Sequence, residues 1–91
     1  MILEGQLMRV ELRYTLTGKA VANGAFVTDE DEPAVRVVFW EQMAEDITRE
    51  FNGEPMHLTL SGRFKTRSWV NDLNQERNIN EFHVQRMKRI S

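Results

Sequence analysis

The 91-residue chain contains no cysteine, so it forms neither a disulfide nor a thiolate metal site. No apolar run approaches the roughly 20 residues of a membrane-spanning helix, and no segment reads as a secretory signal. The absence of cysteine fits a reducing cytoplasm. Nucleophile-elbow and phosphate-loop glycine patterns are missing too. The only two histidines, His57 and His83, are far apart in the sequence. Both fall on the polar parity of their segments and read as surface or interface residues. The acidic run Asp29–Glu32 lacks the spaced ligands and the glycine of a calcium loop, so it reads as a solvated turn. No enzyme, no metal and no cofactor is expected.

One sign of charge is scarce over long stretches. Lys and Arg number 12 against 14 Asp and Glu, for a net charge of -2. The acids are clustered at Asp29–Glu32 and again at Glu41, Glu45, Asp46 and Glu50, so most of the remaining chain is basic or neutral. A mildly acidic total is therefore compatible with a basic stripe on one face. The length predicts a single domain over residues 1–91. A chain this short buries only about 60–65% of its unfolded surface, so oligomerisation would add to a modest core.

Proline is rare, and its two occurrences mark ends. Pro33 stops ladder pairing after the acidic turn, and Pro55 prevents a helix from resuming. Between these stops the hydrophobic period can be read directly. "MILEGQLMRVEL" alternates, with Leu3, Gly5 and Leu7 on one side, and its glycine predicts a bulge or a close backbone approach. Thr17 and Gly18 signal a turn, "AVANGAFVT" a second strand, and "AVRVVFW" a β-branched and aromatic third. In the third strand Val35, Val37 and Phe39 are expected inward and Arg36, Val38 and Trp40 outward. "EQMAEDITREFNG" then changes period: Met43, Ile47 and Phe51 share one helical face. Asn52-Gly53 is expected to supply a left-handed cap. Alternation returns in "MHLTLSGRFKTRSW". "VNDLNQERN" reads as a polar hairpin loop, and "INEFHVQRMKRI" as a last strand whose parity slips near Arg86 to Ile90. The order β-β-β-α-β-β predicts an all-β domain with one helix, the five-stranded Greek-key barrel known as the OB-fold.

The fourth strand carries the candidate site. Arg63, Lys65, Arg67 and Trp69 are two apart, opposite the apolar parity of Leu58, Leu60 and Phe64. Unpaired nucleic acid needs cations for its phosphates and flat faces for its bases. Arg36 and Trp40 repeat that chemistry on the third strand. Tryptophans are also frequent subunit-interface anchors, and a cationic strand face is often merely solvated. It is the pairing of cations with two indoles that favours a ligand.

The blocks "ELRYTLTGKAVAN", "RVVFWEQMAE" and "LSGRFKTRSW", followed by "VNDLNQERN", resemble the bacterial single-stranded-DNA-binding protein (SSB) family, in the family's order and over nearly the whole chain. The resemblance implies an oligomerising OB-fold that binds single-stranded DNA without sequence preference, in replication, recombination or repair. It implies a homodimer or homotetramer paired near the first strand, in the cytoplasm with the nucleoid. Trp69 and Trp40 fall where the family stacks bases. Arg13, Lys19, Arg36, Arg63, Lys65 and Arg67 fall at or near its phosphate contacts. There are three departures. Ala34 stands where the family often has a tryptophan. The hairpin "TDEDEPA" is short and acidic. The flexible tail with its acidic tip has no counterpart, so recruitment of replication and repair enzymes is expected to be lost or supplied elsewhere. The primosomal protein PriB has a similar layout, which makes a protein-interaction OB module with weak or no DNA binding the alternative.

Overall fold

The computed structural model describes residues 1–29 and 33–90, so Glu30, Asp31 and Glu32, the bulk of the expected acidic turn, lie outside the described residues. The elements are β1 (Ile2–Tyr14), β2 (Ala20–Thr28), β3 (Val35–Trp40), α1 (Glu41–Glu50), β4 (Met56–Val70) and β5 (Glu76–Arg89). They close into a barrel in the order β1-β2-β3-β5-β4. Every pairing is antiparallel except the short β3–β5 junction, where Val37 meets Phe82 and Val38 meets His83. A five-stranded closed barrel with one helix among the described residues, between β3 and β4, is the OB-fold.

Two irregularities shape it. The β1–β2 register shifts between Leu7 and Arg9, which turns Val10 and Leu12 toward the core after Leu3 and Leu7. Gly5 itself is a close approach: a Cβ there would lie 2.1 Å from the Val27 carbonyl oxygen. The second shift, opposite Ser61 and Gly62, leaves Gln85 unpaired, so the inward residues pass from Phe82 and Val84 to Met87. That is the parity slip expected near the end of the chain. A side chain at Gly62 would meet the His83 carbonyl oxygen at 2.1 Å.

The core is built on Phe26, Phe39 and Phe82 with Leu7, Leu58 and Leu60, all fully or almost fully buried. Each such side chain contributes about 1.5–3 kcal/mol of burial. The helix packs on β1, β2 and β3. Ala44 and Ile47 are buried, and Met43 and Phe51 lie half-buried against the same cluster. Its end differs from expectation: Phe51 is extended at φ -74° and ψ 120°, and its N–H donates to the Ile47 carbonyl. Asn52 and Gly53 follow as a separate turn, with Gly53 at φ 95°. The polar loop is also shorter than expected. Val70 and Glu76–Asn78 are in strand, and Asn71 closes the turn through its backbone and side-chain bonds to Gln75. The β4–β5 pair therefore runs past the barrel as an arm exposed on both faces.

Candidate nucleic-acid interface

The register sets which side chains share the outer face. On β4, Arg63 lies opposite His83, Lys65 opposite Glu81, Arg67 opposite Ile79 and Trp69 opposite Arg77. Val38 pairs with His83 across the parallel junction, so Arg36, Val38 and Trp40 join the same face. The face thus runs unbroken from β3 across β5 to β4. Trp40 and Trp69 are 39% and 44% exposed. Along β5, six residues separate His83, beside Trp40, from Arg77, opposite Trp69, which is roughly 20 Å of strand. The two indoles stand on one side of the molecule at opposite ends of a cationic path. Val38 departs from a simple outward reading. It and Val21 are buried at 3% and 0% although they lie outside the core cluster, and Val21 pairs with Trp40 in register. They form an apolar floor beneath the Trp40 end of the face.

A carboxylate organises the middle. Glu81 is buried, and its Oε2 lies 3.1 Å from Arg36 Nε and 3.8 Å from Arg67 Nη2. Its Oε1 lies 3.8 Å from His83 Nε2. His83 Nδ1 accepts a 3.3 Å hydrogen bond from Trp40 Nε1, with the rings stacked at 6.0 Å. That bond needs an unprotonated Nδ1. Burial, together with the nearby Lys65 and Arg63 charges, pushes the His83 pKa below its ordinary value against the opposing pull of Glu81. At the other end the Arg67 guanidinium sits 5.6 Å over the Trp69 ring. Trp40, His83, Glu81, Arg67 and Trp69 therefore form one continuous chain of contacts. On the opposite face of the arm, Thr66 donates to Asn80 at 2.6 Å and Ser68 to Asn78 at 2.5 Å, a cross-strand polar ladder. Phe64 packs edge-on to Phe82 where the arm leaves the barrel.

Arg63 and Lys65 make no ion pair among the described residues, whereas Arg36 and Arg67 share Glu81. Arg13 lies on the outer face of β1 and pairs with Val21, two strands from Trp40. Lys19 is set apart. It closes the Thr15–Lys19 turn and borders a shallow hollow with Tyr14, Glu41 and Glu45, on acidic ground at the start of α1. Glu81 and His83 were missed in the sequence. Their signal was parity, since Phe82 and Val84 point inward and leave both neighbours outward. Only strand pairing puts them among the cations.

A separate group, Glu4, Asp29 and His57, brings potential metal-ligating atoms within 4.8 Å of one another. His57 Nε2 lies 3.5 Å from Asp29 Oδ2, a spacing equally suited to an ion pair when His57 is protonated. The group stands on the N-terminal half of β1, away from the cationic path.

The structure is similar to a crystal structure of the SSB domain of a protein from Synechococcus sp.. The match has a TM-score of 0.74 and 20% sequence identity, over 96% of this chain and 90% of that one. No protein-family profile matches the chain, and no curated protein matches its sequence. At this identity the likeness is one of fold, and it places the chain among OB barrels.

Proposed function

We propose that the protein binds single-stranded DNA, stacking bases on Trp40 and Trp69 and meeting phosphates with Arg36, Arg63, Lys65 and Arg67. Arg13 extends the path toward β1, and Lys19 makes at most a peripheral contact. The observation that carries this reading is the sharing of one outer face by both exposed indoles, with the cations between them. Stacking on an aromatic face is open to every base, so most of the path is indifferent to sequence. Such binding belongs in replication, recombination or repair. A homodimer or homotetramer would multiply the sites and gain avidity. The test is a titration with oligothymidylate over a salt series, followed by tryptophan emission. Quenching is expected, with affinity falling as salt rises by about 0.7 log units per log unit of salt for each phosphate neutralised. No quenching at low salt rejects the proposal.

The second reading is a docking module for a replication or primosome protein. It draws on exposed apolar side chains at two loop tips: Leu16 on the β1–β2 turn, and Val70 and Leu73 on the arm. Recovery of a protein partner from nuclease-treated extract, lost on Leu16→Ser or Leu73→Ser and with no retention of DNA, would select it.

A further inference from the structure

A groove of about 340 Å³ opens across β1, β2 and β3, beside the cationic path and continuous with it through Arg36. That volume lies in the usual range of small-ligand sites, about 300–1,000 Å³. On β2 the groove is lined by the Ala25 methyl and by the backbone of Gly24, whose side-chain position faces the core at Leu7 and Val37, and Ala34 stands at its edge. Ala25 pairs with Arg9 on one side and with Arg36 on the other, so two guanidiniums flank a single methyl group. One step along the same face, Glu11 lies directly opposite Asn23. Neither of those two side chains makes a hydrogen bond or ion pair among the described residues. Ile79, half-buried on the arm, supplies an apolar wall.

The polar pair is selective by its chemistry. A carboxylate only accepts hydrogen bonds, whereas a carboxamide both donates and accepts. Guanine presents two adjacent donors, N1–H and the N2 amino group, next to the O6 acceptor. Thymine sets its one donor between two carbonyls. Adenine and cytosine each place an amino group beside a ring nitrogen whose lone pair a carboxylate repels. Only guanine offers the Glu carboxylate two adjacent donors and still leaves an acceptor for the Asn carboxamide beside it. We infer that this groove seats a guanine of the bound strand, with Glu11 accepting from N1–H and N2–H and Asn23 donating to O6. Arg9 and Arg36 meet the flanking phosphates, and Ile79 covers one face of the base. The protein is thus indifferent to sequence along the arm and selective at one position. This rests on the single-strand reading above.

The experiment compares a short oligothymidylate with the same oligomer carrying one internal guanine, and with one carrying inosine, which lacks the N2 amino group. The guanine oligomer is expected to bind about fivefold or more tighter than oligothymidylate, since a good bidentate base contact discriminates by roughly five- to 150-fold. Inosine is expected to fall between the two. Glu11→Gln, at an exposed position, is expected to erase the guanine preference. It should also tighten oligothymidylate binding modestly, because a negative charge leaves the phosphate path. Equal affinity of the wild-type protein for all three oligomers overturns the inference, as does a guanine preference that survives in Glu11→Gln. If oligothymidylate itself does not bind, the failure lies with the single-strand reading instead.

Discussion

Trp69→Ala tests the interface with the least disturbance to the fold. The indole is 44% exposed, on an arm that is open on both faces, and its only ring contact among the described residues is the Arg67 guanidinium at 5.6 Å. Its removal therefore leaves the barrel core untouched. Stability is expected to change by no more than about 0.5 kcal/mol, as for surface substitutions generally. Binding should change far more. One base–aromatic stack is worth roughly 1–3 kcal/mol, which corresponds to about a five- to 150-fold weaker Kd. An exposed cation–π contact contributes a further 0.5–1 kcal/mol or so to holding Arg67 over the ring, and its loss pushes the result away from the lower limit. The assay is the oligothymidylate titration, run on Trp69→Ala and Trp40→Ala in parallel. Each variant keeps one indole, so the residual quenching reports the other platform separately. Trp40→Ala should also lower the melting temperature, because it removes the hydrogen bond to His83. Wild-type affinity in Trp69→Ala, with the melting temperature unchanged, would refute the stacking argument.

Replacing Arg63 and Lys65 together by Ala should reduce the salt slope by about 1.4, two phosphate contacts at roughly 0.7 each. Arg36→Ala should change the slope less, since Glu81 already neutralises that guanidinium in the free protein; slopes measured for both variants decide this. His83 provides a pH test. Its folded pKa lies below the ordinary 6.5, so between those two values the unfolded chain binds more protons. Stability from this group is complete above about pH 6.5 and is lost as pH falls toward the folded pKa. His83→Gln keeps an acceptor for Trp40 but does not titrate, so its melting temperature should fall less over that window than that of the wild type. Gly62→Ala should destabilise by about 1–3 kcal/mol, because the new methyl meets a backbone oxygen that cannot rotate away. For a domain of this size that is a melting-temperature loss of roughly 4–8 °C per kcal/mol, read by thermal denaturation.

Much of this architecture was legible in the residue order. Alternation marked the strands because successive side chains on a strand face opposite ways, and the change to a four-residue period at Met43, Ile47 and Phe51 marked the helix. The two indoles and the β4 cations were correctly placed outward by parity alone. Helix and loop ends were read less well. Asn52-Gly53 looked like a cap, yet the chain becomes extended already at Phe51, whose side chain packs against the core. Only the tip of the arm, Val70 and Glu76 to Asn78, was misread as loop, because both its faces are solvated and burial leaves no hydrophobic alternation there. Cross-strand bonds such as Thr66 to Asn80 hold the arm as a ladder instead.

The local order of apolar and polar residues thus carried the barrel, its helix and the outward cations, because periodicity is a property of neighbours along the chain. Partnership across strands is not. The β3–β5 junction that closes the barrel brings Glu81 to Arg36 and His83 to Trp40 over 45 and 43 residues, and the β4–β5 pairing brings Glu81 to Arg67 over 14. The antiparallel β1–β2 pairing puts Glu11 beside Asn23, next to the small side chain of Ala25. Register, which moves every side chain to the other face when it slips by one residue, chose these neighbours.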